Sequence, residues 1–103
     1  MDKITALEKA KKFTDITVDR FNPSKVFLYG SFANGNYNEF SDIDIAVVVK
    51  KLDQGYMDAL FSLWTLRWDI ETMIEPTLFV EGQDPSGFLE YIEKYGELLF
   101  SAN

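Results

Sequence analysis

Two aspartates separated by a single residue begin a strongly apolar stretch of the chain. Asp42 and Asp44 flank Ile43, and the run after them, residues 45–49, is rich in β-branched residues. Such a run is typical of a buried strand, a setting in which carboxylates are disfavoured. Residues two apart on a strand project from the same face, about 6–7 Å apart. Oxygen ligands at that separation suit hard divalent cations such as Mg²⁺.

A glycine-serine pair precedes these aspartates, with ten residues between the two motifs. Gly30 and Ser31 follow the short apolar run of residues 26–29, which predicts another buried strand. A glycine allows the backbone to approach a phosphate closely. A serine that opens a helical turn offers its hydroxyl and free backbone N–H groups to the same anion. The two motifs together predict a site for a metal-bound phosphate compound.

Helices and strands alternate in the pattern around these motifs. Helical periodicity predicts helices over Asp2–Arg20 and Gln54–Trp68, and a third helix with Asp84 as its N-cap. Residues 69–80 are predicted to form a long third strand, in which Pro76 indicates an edge position or a bulge. A short final strand is predicted near residues 97–100. We therefore expect a mixed α/β domain of the α+β type, with a small mixed sheet and helices packed mainly on one side.

Composition narrows the chemistry. The 103 residues contain no cysteine and no histidine, which excludes thiolate and imidazole metal sites and any Ser-His-Asp triad. The net charge of −7 is unfavourable for binding a nucleic-acid backbone. We expect one domain spanning residues 1–103, in the cytoplasm and away from membranes, that acts on a small molecule or a protein.

Several aromatic residues leave two interpretations open. Tyr37 or Phe40 could stack on a base at the mouth of the site, or could cover the edge of the core. Phe61 and Trp68 lie off the main apolar stripe of the second long helix. They belong either to a helix buried on two sides or to the surface of a homodimer or partner complex.

The Gly-Ser pair and the Asp-x-Asp pair, at this spacing, resemble the polymerase β-like nucleotidyltransferase superfamily, and more narrowly its minimal nucleotidyltransferase domains. The resemblance implies the nucleotidyltransferase fold and a nucleoside triphosphate held by Gly30 and Ser31. It also implies that Asp42 and Asp44 bind two Mg²⁺ or Mn²⁺ ions, completed by a third carboxylate on a neighbouring strand. Glu71 is the first choice for this third catalytic acid and Glu75 the second. At the nucleotide-binding position where the family usually has arginine, this chain has Asn34.

The function that the resemblance implies is transfer of a nucleoside monophosphate, with AMP favoured, from a nucleoside triphosphate to a hydroxyl group. Antitoxin-like members are encoded beside a helical HEPN-type partner protein, whose tyrosine they adenylylate. The alternative is a degenerate module that uses the same fold as a protein-interaction surface. Asn34 favours this alternative, whereas the acidic residues and the Gly-Ser pair favour the enzyme.

Overall fold

The computed structural model describes residues 1–102, in which helices and strands alternate in the predicted order. The elements are α1 (Lys3–Phe21), β1 (Lys25–Tyr29), α2 (Ser31–Asn34), β2 (Ile43–Val49), α3 (Tyr56–Thr65), β3 (Ile74–Val80), α4 (Phe88–Tyr95) and β4 (Glu97–Ser101). Within residues 1–102, no helix combines the length and the apolar character needed to cross a membrane.

The four strands form one mixed sheet in the order β3-β2-β1-β4. β1 is antiparallel to both β2 and β4, whereas β2 and β3 are parallel. The register places Asp44 of β2 between Tyr29 of β1 and Glu75 of β3. The predicted mixed sheet is therefore confirmed, and its central strands carry the predicted motifs.

Helices cover the two faces of the sheet unequally, because successive strand residues point to opposite sides. One face packs against α1, α2 and α3. The fully buried side chains of this larger core include Phe13, Phe32 and Leu63 of the three helices and Ile45 of β2. The other face has a smaller core beneath α4, made of Phe27, Ala46, Val48, Leu89 and Ile92. The prediction of helices mainly on one side is confirmed.

The predicted third strand is too long at its start. Residues 66–73 form turns instead of extended backbone, and β3 begins only at Ile74. The reason is local: the Arg67 carbonyl accepts hydrogen bonds from the N–H groups of both Ile70 and Glu71, at 3.0 and 2.9 Å. A carbonyl used in this way holds a turn and keeps both donors out of the sheet.

Two helix starts also differ from the prediction. α3 begins at Tyr56 after Gly55, not at Gln54 after an Asp53 cap, and it ends at Thr65 before Trp68. α4 begins at Phe88 after Gly87. Asp84 nevertheless acts on α4 from a distance, because its carboxylate accepts from the N–H groups of Leu89 and Glu90 at 3.0 Å each. A carboxylate at this position satisfies the free donors of the first turn.

β3 lies at the edge of the sheet, as the proline predicted, and side chains protect its free side. In the parallel register the carbonyls of Ile74, Pro76 and Leu78 point away from β2. Each accepts a hydrogen bond from the α3 region: Arg67 Nη1 at 3.3 Å, Trp64 Nε1 at 2.9 Å and Tyr56 Oη at 2.7 Å, respectively. Pro76 has no N–H to expose. This edge is therefore closed to pairing with another strand.

Removing one of these side-chain donors should destabilise the protein without changing its fold. Tyr56→Phe deletes the hydroxyl that bonds the Leu78 carbonyl and keeps the ring, so the free energy of unfolding should fall by about 1 kcal/mol. Urea denaturation measures this, with an unchanged m-value expected because the same surface unfolds. Unaltered stability would mean that water replaces the hydroxyl at no cost.

Candidate active site

Three carboxylates meet at one end of the sheet. Ile43 and Ile45 are fully buried in the core on the α1 and α3 side, so Asp44 between them projects from the α4 side of β2. Glu75 lies directly opposite Asp44 in the parallel pairing of β2 and β3. Asp42 lies just before β2, where its charge acts on both. We call Asp42, Asp44 and Glu75 the acid cluster.

Burial and nearby negative charge raise the pKa values of Asp44 and Glu75. Burial is the main cause that raises the pKa of Asp44 from 3.8 to about 6, and the negative charges of Glu75 and Asp42 add to it. Burial also raises the pKa of Glu75, helped by the charge of Asp42 and by a hydrogen bond shared with it. Desolvated like charges of this kind disfavour ionisation. A cluster with such strained charges is typical of a functional site.

The donor chemistry of the acid cluster fits a hard divalent cation, since carboxylate oxygens are the ligands that Mg²⁺ and Mn²⁺ prefer. Repulsion between the carboxylates is the force that a bound cation would relieve. Across residues 1–102, no three acidic side chains are already close enough to form a finished metal site. The cluster therefore has the right ligands, and its side chains would have to draw together around an ion.

The turn at Gly30 lies directly against the acid cluster. Gly30 has φ of 73° and ψ of −152°, a conformation that side-chain-bearing residues avoid. A Cβ at this position would also clash with Oδ2 of Asp44 and approach its Cγ to 3.1 Å. Glycine is thus required both by the backbone and by the space. Ser31 follows at the start of α2, so the two predicted motifs are in contact although ten residues separate them in sequence.

Asn34 ends α2 and supports the loop that follows it. Its side-chain oxygen accepts a hydrogen bond from the N–H of Asn36 at 2.9 Å, and the residue is exposed. In the same loop the ring of Tyr37 stacks on Phe32, with centroids 4.8 Å apart, as the core-covering interpretation predicted. Phe40 is 79% exposed. The wall of the site formed by α2 therefore presents the uncharged amide of Asn34, at the position where an arginine was the expected residue.

Glu71 is not brought to the acid cluster. It lies in the turns before β3, where its carboxylate forms an ion pair with Lys9 of α1 and accepts from the N–H of Met73 at 3.0 Å. The hydrogen bond from Lys9 is the main cause that lowers the pKa of Glu71. The expectation that Glu71 shares a strand with Glu75 is wrong, because that strand begins three residues after Glu71. The second choice, Glu75, is the one that lies beside Asp44.

Arg67 is a residue at the site that the motifs did not indicate. Its guanidinium lies 4.5 Å from the ring centroid of Trp64 and 5.3 Å from that of Trp68. It donates to the carbonyls of Thr72 and Ile74 on either side of the start of β3. Its charge opposes the rise in the pKa of Glu75. The signal available in the sequence was the closeness of Arg67 to Trp64 and Trp68, since stacking on aromatic rings fixes a guanidinium in place.

Comparison with known proteins gives consistent results. The family described as polymerase beta, nucleotidyltransferase matches the chain over residues 11–103. A Methanocaldococcus jannaschii protein named "Putative protein adenylyltransferase" is 30% identical over 101 residues, which span 93% of this chain and 97% of that protein. A crystal structure of a "putative nucleotidyltransferase" from Sulfolobus solfataricus superposes with a TM-score of 0.74 at 24% identity, covering 97% of this chain and 84% of that one. That structure supports the shared fold.

The raised pKa of Asp44 predicts a pH-dependent cost to stability in metal-free protein. Below its ordinary pKa of 3.8 the group favours the folded state, and this contribution is lost as the pH rises through about 6. Asp44→Asn, which stays neutral, should therefore gain stability relative to the parent between about pH 4 and pH 6. Urea denaturation in EDTA at several pH values measures this difference.

Asp15→Asn is the matched control, because Asp15 is exposed on α1, which packs on the face of the sheet opposite the acid cluster. The pH dependence assigned to Asp44 is the part that the Asp15 variant does not share. A parallel pH dependence for the two variants would contradict the electrostatic account of Asp44.

Proposed function

The chain belongs to the polymerase beta nucleotidyltransferase family, and we propose that it is a divalent-metal-dependent enzyme that transfers AMP from ATP to a hydroxyl group of a protein. The hydroxyl oxygen bonds to the α-phosphorus, the bond to the β-phosphate breaks, and pyrophosphate leaves. The observation that carries this proposal is the contact between the Gly30 turn and the Asp44 carboxylate. That contact places a phosphate-binding turn and a metal-binding cluster in one site, as transfer at a phosphate requires.

Each residue of the site has a role in this proposal. Asp42, Asp44 and Glu75 hold two Mg²⁺ or Mn²⁺ ions, and Glu75 takes the part of the third acid that the sequence first assigned to Glu71. When bound, such ions orient the phosphates and lower the pKa of an attacking hydroxyl. Gly30 and Ser31 contact the triphosphate. Asn34 adds a hydrogen-bonding amide but no charge.

The acceptor is proposed to be a protein, because the relative from Methanocaldococcus jannaschii is named an adenylyltransferase of proteins. An antitoxin-like role beside a helical HEPN-type partner fits this acceptor class. We place contact with that partner, or with a second copy of the chain, on the surface formed by α3 and the turn after it, where Phe61 and Trp68 are 72% and 64% exposed. Mass spectrometry of a co-expressed partner would detect the added AMP.

Neutralising both aspartates should abolish nucleotide binding in the presence of metal. Asp42→Asn combined with Asp44→Asn removes two of three ligands and relieves repulsion, so the variant should remain folded. Calorimetric titration with MgATP measures the loss, and Asp15→Asn is again the control. Binding equal to that of the parent would show that the acid cluster is not the metal site.

A kinetic test distinguishes Glu75 from Glu71 as the third acid. Glu75→Gln should lower kcat by about 100-fold or more while changing nucleotide affinity much less, since its effect falls on the reacting geometry. Glu71→Gln breaks the ion pair with Lys9 and should lower stability slightly with little change in kcat. The reverse pattern would return the role to Glu71.

The degenerate interaction module remains the second candidate, because Asn34 leaves the α2 wall of the site without a positive charge. It predicts that MgATP does not bind at all. Titration of the parent chain decides between the two functions, since a nucleotide that binds only when metal is present supports the enzyme.

A further inference from the structure

We propose that the base of the nucleotide stacks on a row of aromatic side chains carried mainly by α4. This inference rests on the proposed function, because it concerns the nucleoside end of the same site. The row consists of Tyr29, Phe88, Tyr91 and Tyr95, and we call it the aromatic row. It supplies the binding surface for the uncharged part of the substrate, and the Lys94 ammonium lies 5.4 Å from the ring centroid of Tyr95 at its far end.

The aromatic row starts beside the acid cluster and leads away from it. Tyr29 lies opposite Asp44 in the sheet, and its ring meets that of Phe88 edge-on with centroids 5.5 Å apart. The rings of Phe88 and Tyr91 are nearly parallel, 21° apart, at 6.4 Å. The centroids of Tyr91 and Tyr95 are 4.9 Å apart. A nucleotide whose α-phosphate lies at the acid cluster can therefore extend its base along these rings.

Packing against the sheet accounts for Tyr29 and in part for Phe88, which also meets Phe79, but it does not account for Tyr91 and Tyr95. Leu89 and Ile92 provide the buried contacts of this helix with the sheet, and they are 6% and 0% exposed. Phe88, Tyr91 and Tyr95 are 40%, 57% and 61% exposed. Large aromatic rings that remain in water next to a site are suited to binding, because a ligand can still bury them.

A cavity joins the aromatic row to the nucleotide-binding turn. It has a volume of about 230 Å³, with Gly30 and Asn34 on one wall and Phe88, Tyr91 and Tyr95 on the other. None of the residues that line it is charged. A triphosphate in this cavity would find no charged residue in its lining, whereas a base finds aromatic faces and the Asn34 amide. The chemistry of the lining thus assigns the cavity to the base.

Stacking depends on ring area more than on the pattern of hydrogen-bonding groups. The aromatic row should therefore accept both purines and bind pyrimidines less well. We expect ATP and GTP to bind with similar affinity and CTP more weakly.

The test compares MgATP with magnesium tripolyphosphate, which has the phosphates but no base. Tyr91→Leu keeps an apolar side chain and removes the ring, so affinity for MgATP should fall about 5- to 100-fold, as for loss of one stacked base. Affinity for tripolyphosphate should not change. Tyr91→Phe should retain the parent affinity for both ligands, since it keeps the ring. Calorimetry measures all of these values.

Ile4→Ala is the control, because it shortens an exposed apolar side chain of α1, which packs on the opposite face of the sheet. It should leave both affinities unchanged. Tyr95→Leu is a second variant that should show the same selective loss, and circular dichroism checks that each variant is folded. Exposure of both tyrosines favours folding of these variants.

Three results would overturn the inference, and they are distinguishable. Unchanged MgATP affinity in Tyr91→Leu and Tyr95→Leu would remove the stacking contact and leave the proposed function intact, since the parent still binds. Equal losses for MgATP and tripolyphosphate would assign the tyrosines to the phosphates. Failure of the parent to bind either ligand would overturn the proposed function together with the inference.

Discussion

Burial of the Asp44 carboxylate close to the negative charges of Asp42 and Glu75 is the constraint on which the arrangement of this molecule depends. Asp42, Asp44 and Glu75 are held together by the pairing of β2 with β3, not by attraction for one another. Burial raises the pKa of Asp44 to about 6, which shows that its charged form is disfavoured there. The stability that offsets this must come from elsewhere, chiefly the apolar core beneath α1 and α3.

The region around α3 connects that core to the site. Its side chains close the free edge of β3 by bonding successive outward carbonyls, and one of them, Arg67, also lies close enough to Glu75 to favour the charged carboxylate. Enclosure between Trp64 and Trp68 limits the positions that this guanidinium can take. The same side chains therefore protect a strand edge and fix the start of the strand that carries Glu75.

The two sides of α4 have different roles, because one side packs against the sheet and the other faces the candidate site. Leu89 and Ile92 close the smaller core, while the aromatic row faces the turn at Gly30. The positive φ of that turn and the closeness of Asp44 exclude any side chain at position 30. One helix face and one glycine thus shape the space that a nucleotide would enter, next to carboxylates with the ligand chemistry for its metal ions.

The sequence by itself determined the order of the elements, the mixed sheet and the two motifs at its centre. Apolar periodicity and the Asp-x-Asp alternation are local properties, and they persist whatever the rest of the chain does. The start of β3 was decided only by tertiary structure, because residues 69–73 have a strand-like pattern but lie in turns before the strand begins. That difference separated Glu71, which pairs with Lys9, from Glu75, which lies opposite Asp44. The flanking pattern of Ile74-Glu75-Pro76 resembles that of Ile43-Asp44-Ile45, yet only the parallel register, a contact between segments far apart in sequence, brings the two acids together.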